Sequence, residues 1–70
     1  MKWRRIDGLS VYPGSRFEAE VRRRDDSPGW WGWQVVDKKL GVDDGGTEQS
    51  QLKAEERAEQ TLREWRRAGR

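Results

Sequence analysis

The sequence predicts an α+β fold, a three-stranded antiparallel sheet packed against one C-terminal amphipathic helix in the order β-β-β-α. Three observations carry it. Residues 16–24 alternate, with Phe17, Ala19 and Val21 on one face and Arg16, Glu18, Glu20 and Arg22 on the other. Residues 30–37 are rich in aromatic and β-branched side chains, with Trp31, Trp33 and Val35 at the two-residue strand period. Between about residues 51 and 68, steps of about 100° gather Ala54, Ala58, Thr61, Leu62, Trp65 and Ala68 into one apolar stripe.

The elements follow in order. A first strand is expected over about residues 3–12. Trp3 and Ile6 are an odd number of residues apart and cannot share a face without a bulge, for which Gly8 is the candidate. Tyr12-Pro13-Gly14-Ser15 places Pro and Gly at the two central positions of a type II turn, so a hairpin is expected there. After the second strand, over 16–24, Asp25-Asp26-Ser27-Pro28-Gly29 supplies another turn, and the strand over 30–37 is the most buried. Residues 38–49, with Asp43-Asp44-Gly45-Gly46, read as a loop in which residues 39–42 can form a short edge strand. Ser50 then caps the helix. Glu55 and Glu56 lie near its positive end, Arg66 and Arg67 near its negative end, and Glu59 with Arg63 forms an i,i+4 pair. Leu52 falls off the stripe and is expected to pack at the helix entrance or against the preceding loop. The expected core is Trp3 or Ile6, Phe17, Ala19, Val21, Trp31, Trp33, Val35, Ala54, Ala58, Leu62 and Trp65.

Seventy residues make a single small domain over 1–70, and 40% charged residues alone would suggest disorder; the five Trp argue for a packed core instead. With no Cys and no His, disulfides, zinc fingers, thiolate nucleophiles and His-dependent triads are excluded. The basic N-terminus lacks the apolar stretch of a signal peptide and no apolar run is long enough for a bilayer, so a soluble cytoplasmic protein is expected. The net charge of +2 is segregated. Seven basic residues face three acidic ones up to residue 24, nine acidic face four basic over 25–61, and four basic face one acidic from 62 onward.

Two features stand out as candidate sites. Trp30 should face away from the helix if Trp31 and Trp33 face it, which makes Trp30 a surface anchor. Arg22, Arg23 and Arg24, together with Arg16, form a basic group interleaved with Glu18 and Glu20, and the same pattern also fits ordinary ion pairing on a solvated face. Asp37, Asp43, Asp44 and Glu48 lack the spacing of a calcium loop, adjacent Glu55 and Glu56 point in different directions, and Gly45-Gly46 is no phosphate loop. No enzyme activity, metal or cofactor is expected.

Gly14-Ser15-Arg16-Phe17-Glu18-Ala19-Glu20-Val21-Arg22 resembles the second-strand segment of AP2-type DNA-binding domains, Gly-x-x-aromatic-x-Ala-Glu-Ile-Arg. Trp31-Gly32 and Ala54-Glu55-Glu56-Arg57-Ala58 resemble that family's third strand and helix. The resemblance implies three antiparallel strands on a helix and a sheet that reads the major groove, with Arg16, Arg22 and Trp30 or Trp31 at groove-facing positions.

Two functions are therefore expected. The first is a small non-enzymatic protein-binding module or inhibitor, of the compact kind found among phage and prophage accessory proteins, docking a protein partner through Trp30, Arg16, Arg22, Arg23 and Arg24. The alternative is nucleic-acid binding through the open sheet face and basic chain ends, with Arg4, Arg5, Arg16 and Arg22 on phosphates and Trp30 stacking on a base.

Overall fold

A computed structural model describes residues 2–68. It is an α+β structure in which one helix packs on an open antiparallel sheet of five strands, two more than the sequence predicts. The strands are β1 (Arg4–Ile6), β2 (Leu9–Tyr12), β3 (Phe17–Arg23), β4 (Trp31–Asp37) and β5 (Val42–Glu48), followed by α1 (Gln51–Arg67). Strand order equals chain order, so every pairing is a hairpin between sequence neighbours.

The additional strands arise where two expected elements divide. The single first strand over 3–12 breaks at Asp7-Gly8 into β1 and β2, with Gly8 at φ 72, a backbone region glycine enters without steric penalty. Gly8 thus makes a tight reversal where a bulge was expected. Its carbonyl accepts the Arg23 amide at 3.0 Å, which ties the turn to the end of β3. The expected loop over 38–49 instead contains a turn up to Gly41 and the seven-residue strand β5, so the short strand proposed for residues 39–42 is displaced toward the C-terminus. Asp37 makes that turn. Its carboxylate accepts the Lys39 and Leu40 amides at 3.0 and 3.3 Å, and its carbonyl accepts from Gly41, which sits at φ 68.

The β2–β3 hairpin forms as expected, but not through a type II turn at Pro13-Gly14. Gly14 is outside the positive-φ region, and glycine is required there because a Cβ would lie 2.0 Å from the Phe17 carbonyl oxygen. The Pro-Gly turn geometry occurs in the next hairpin instead. The Trp30 amide donates to the Ser27 carbonyl at 3.0 Å across Pro28 and Gly29, and Gly29 has φ 86.

The core lies between α1 and one face of β3 and β4. Ala19, Val21, Trp33 and Val35 from the sheet meet Ala54, Ala58 and Leu62 from the helix, with Trp3, Tyr12, Phe17, Trp31 and Trp65 packed around them. Trp3 is therefore the N-terminal core residue, and Ile6, 67% exposed, points the other way. Ser50 caps α1 by accepting the Lys53 amide at 3.1 Å. Leu52 is exposed rather than packed at the helix entrance, because the helix turns Gln51, Ala54 and Glu55 inward and leaves Leu52 outside.

β5 reads as a loop in sequence because neither face of it buries an apolar side chain. On the helix side its place in the core is taken by Trp33. A Cβ on Gly46 would lie 3.0 to 3.3 Å from the Trp33 indole, so the absent side chain is the space the indole occupies. No helix among the described residues is long and apolar enough to cross a membrane.

Candidate functional site

Strand alternation decides which predicted residues share a surface. In β3, Phe17, Ala19, Val21 and Arg23 face the helix side, while Glu18, Glu20 and Arg22 lie on the open side together with Val11, Gln34, Val36 and Asp43 of the neighbouring strands. The basic run is thereby split. Arg22 stands on the open face beside Gly32 and holds Glu20 at 2.8 Å. Arg23 stands on the other face, its guanidinium 5.3 Å from the Trp31 ring centroid and 3.7 Å from Asp7. Arg24, past the strand end, turns its stem over Gly32 and grips Asp26 through two bonds of 3.1 and 2.9 Å. These bonds raise the Arg24 pKa and hold the Asp26 carboxyl below its usual range.

Arg22 and Arg24 wall a shallow groove of about 470 Å³ across the end of the β3–β4 hairpin, with Glu20, Asp26, Gly32 and Gln34 among its other lining residues. Gly32 forms part of the floor, since it is the one position of β4's open face without a side chain. Trp30 stands on the adjoining turn, outside β4, and its carbonyl accepts the Arg24 amide at 3.0 Å. It is 39% exposed, the only tryptophan among the described residues whose ring is not enlisted by the core.

Arg16 is elsewhere. At the opposite end of β3 its guanidinium grips the fully buried Asp37 carboxylate, Nε to Oδ1 at 3.2 Å and Nη2 to Oδ2 at 3.1 Å. The Arg16 hydrogen bonds hold Asp37 below the usual carboxylate range against the opposing effect of burial, with the Leu40 and Lys39 amides assisting. Arg5 likewise turns to the helix side, where it donates to the buried Glu55 carboxylate at 2.9 and 2.6 Å. Ser10 completes that site, donating to Glu55 at 2.5 Å and accepting from Gln51 at 2.7 Å. The Arg5 hydrogen bonds lower the Glu55 pKa although burial raises it. Arg4, by contrast, is exposed on the open face opposite Val11 and makes no ion pair among the described residues.

The structure thus brings Arg22, Arg24 and Trp30 together at one end of the sheet, leaves Arg4 on the same face two strands away, and commits Arg5 and Arg16 to buried carboxylates. The basic residues near the helix C-terminus lie at the other end, with Arg66 5.4 Å from the Phe17 ring and 3.5 Å from the Tyr12 hydroxyl. Sequence reasoning missed the two buried carboxylates. Glu55 falls within the apolar stripe, three and seven residues before Ala58 and Leu62, which is the signal that it faces inward. Asp37 stands where β4 ends on the inward phase of Trp33 and Val35.

No group of three or more metal-ligating carboxylates occurs among the described residues. Comparison with protein-family models, with curated proteins and with solved structures finds no match to this chain.

Proposed function

We propose that this chain is a non-enzymatic protein-binding module, an accessory protein or inhibitor of the small phage or prophage type, that docks its partner at the end of the β3–β4 hairpin. The observation that carries this reading is the placement of Trp30 beside the groove walled by Arg22 and Arg24. A half-exposed indole next to polarised guanidinium groups has the composition of an interface centre, where Trp and Arg dominate binding energy. Glu20 and Asp26 hold the two arginines in place on the exposed face, and exposed ion pairs contribute little to stability, so a partner carboxylate can replace either acid at small cost. The partner surface that fits combines an apolar socket for Trp30 with one or two acidic groups.

Affinity capture from a bacterial lysate, followed by titration of the captured partner against purified protein, tests this reading. Trp30→Ala should weaken binding by about 30-fold or more, as expected for an interface anchor, and Arg22→Glu should abolish capture. Equal binding by wild type and both variants would remove the hairpin end from the interface. A nucleic-acid arm decides against the other function: a mobility shift of labelled duplex, single-stranded DNA or RNA at 50 mM salt that weakens with Arg4→Ala and Arg22→Ala would replace the protein partner with a nucleic acid.

A further inference from the structure

The hydrogen-bonding phase of the sheet shows which backbone groups of its long edge are spent. Arg24 donates to Trp30 at one end of the β3–β4 ladder, and Lys38 donates to Arg16 at the other. In an antiparallel ladder, directly opposed residues alternate between bonded and non-bonded pairs, so the even-numbered residues of β4 turn their backbone groups toward β3 and the odd-numbered ones toward β5. Trp33 stands opposite Gly46 and Val35 opposite Asp44, so the even-numbered residues of β5 close that ladder. The N–H and C=O groups of Asp43, Gly45 and Thr47 therefore point outward. Among the described residues the one hydrogen bond made there is from the Gly45 amide to the Asp44 carboxylate, at 2.8 Å.

This edge is seven residues long and exposed over nearly its whole length, whereas the opposite edge, β1, has three. Gly45 and Gly46 add no side chain on either face, so another backbone can approach closely. The charged side chains that flank it are all acidic, Asp43 beside Thr47 on the open face and Asp44 and Glu48 beside Val42 on the helix face, with no basic residue anywhere in β5. A second copy of the chain paired edge to edge would set these carboxylates against one another, and like charges facing across strands are destabilising. A basic strand would satisfy both the backbone groups and the charge, and cations at alternate positions would meet the acids of one face.

We propose that β5 is a strand-addition site that accepts an extended basic segment of a protein partner as the sixth strand of the sheet. Asp43 and Thr47 each supply a donor and an acceptor to it, and the acids on both faces select lysine or arginine on the incoming strand.

The test is titration of a capped seven-residue peptide alternating lysine and valine into isotopically labelled protein, read by amide shifts and hydrogen exchange. Shifts should centre on residues 43–47, with exchange at Asp43 and Thr47 slowed. N-methylation of alternate peptide amides should weaken binding by about ten-fold or more, because backbone bonds cannot form, and the glutamate–valine counterpart should not bind. Thr47→Pro should weaken binding equally with little change in melting, since the Thr47 amide takes no part in the β4 ladder. If that variant does not fold, the N-methylated peptide answers the same question on the wild-type protein. Trp30→Ala should bind the peptide unchanged, which separates this edge from the hairpin-end interface. Equal affinity for the N-methylated or the glutamate peptide, no binding at low salt, shifts centred on Trp30, or self-association through β5 would each overturn the proposal.

Discussion

Replacing Glu55 by alanine removes the anion around which the N-terminal strands are fastened to the helix. The carboxylate accepts two bonds from Arg5 and one from Ser10, and it is almost fully buried. Removing one member of a buried ion pair costs about 3–5 kcal/mol when the surviving charge stays buried. Here the surviving side chain is 59% exposed and regains water, which lowers the cost. The buried Ser10 hydroxyl loses its acceptor but keeps the bond from Gln51. Together these place the loss for Glu55→Ala at about 2–3 kcal/mol at neutral pH. For a domain of this size that lowers the melting temperature by about 8–24 °C. The difference should also depend on pH. Because the folded-state pKa of Glu55 is depressed, its stabilisation is complete above the unfolded value of about 4.5 and disappears as pH falls through the folded value. Urea unfolding of both proteins, followed by tryptophan fluorescence at about pH 7 and about pH 3, should show the gap shrinking in acid. The other depressed carboxylates are common to both proteins and cancel in the difference. A gap below about 1 kcal/mol at neutral pH, or one that does not change with pH, would refute a charged, load-sharing role for Glu55.

Trp33→Ala should cost about 3–5 kcal/mol, since it empties the centre of the helix–sheet interface, and a cooperative melt at an unchanged temperature would contradict that packing. Gly46→Val should displace the Trp33 indole, seen as a lower melting temperature with a red-shifted emission spectrum, because even its Cβ would stand 3.0 to 3.3 Å from three ring atoms. Asp37→Asn should destabilise at neutral pH through the loss of the Arg16 pair; the deficit should fade as pH falls from the unfolded value of about 3.8 through the depressed folded value, because over that range the unfolded wild-type chain binds a proton that the folded one excludes, which paired thermal melts at two pH values would measure.

The helix was legible because each of its signals is local. Ser50 caps it where expected, and the 3.6-residue stripe names Ala54, Ala58 and Leu62 as its buried face. β3 and β4 were legible because alternation survives along both, down to the burial of Val21 and Val35. β5 was not, since Gly45-Gly46 mimics a turn when read alone; it is a strand because Trp33, twelve and thirteen residues earlier, fills the space its side chains would need. Asp7-Gly8 carried a hairpin signal of its own that the length of the first strand concealed. At the candidate site, the exposure of Trp30 followed from sequence, but the fate of the arginines did not. Arg5 and Arg16 look the same as Arg4 and Arg22 until Glu55 and Asp37 are known to be buried beside them.

Because each strand pairs only with its neighbour in the chain, the sheet can be assembled by successive short-loop closures, a low-contact-order route that favours rapid folding. The hydrogen bonds of greatest sequence separation are those from Trp3 to Glu59, from Arg66 to Tyr12 and from Arg5 to Glu55, which join the N-terminal strands to the helix. Contacts that span so much chain carry the largest loop-closure entropy and are made late. Their loss should therefore appear mainly as faster unfolding, with the folding rate nearly unchanged. The clasp between the first strand and the helix is thus a kinetic latch: it sets how long the sheet and helix stay joined once they have met.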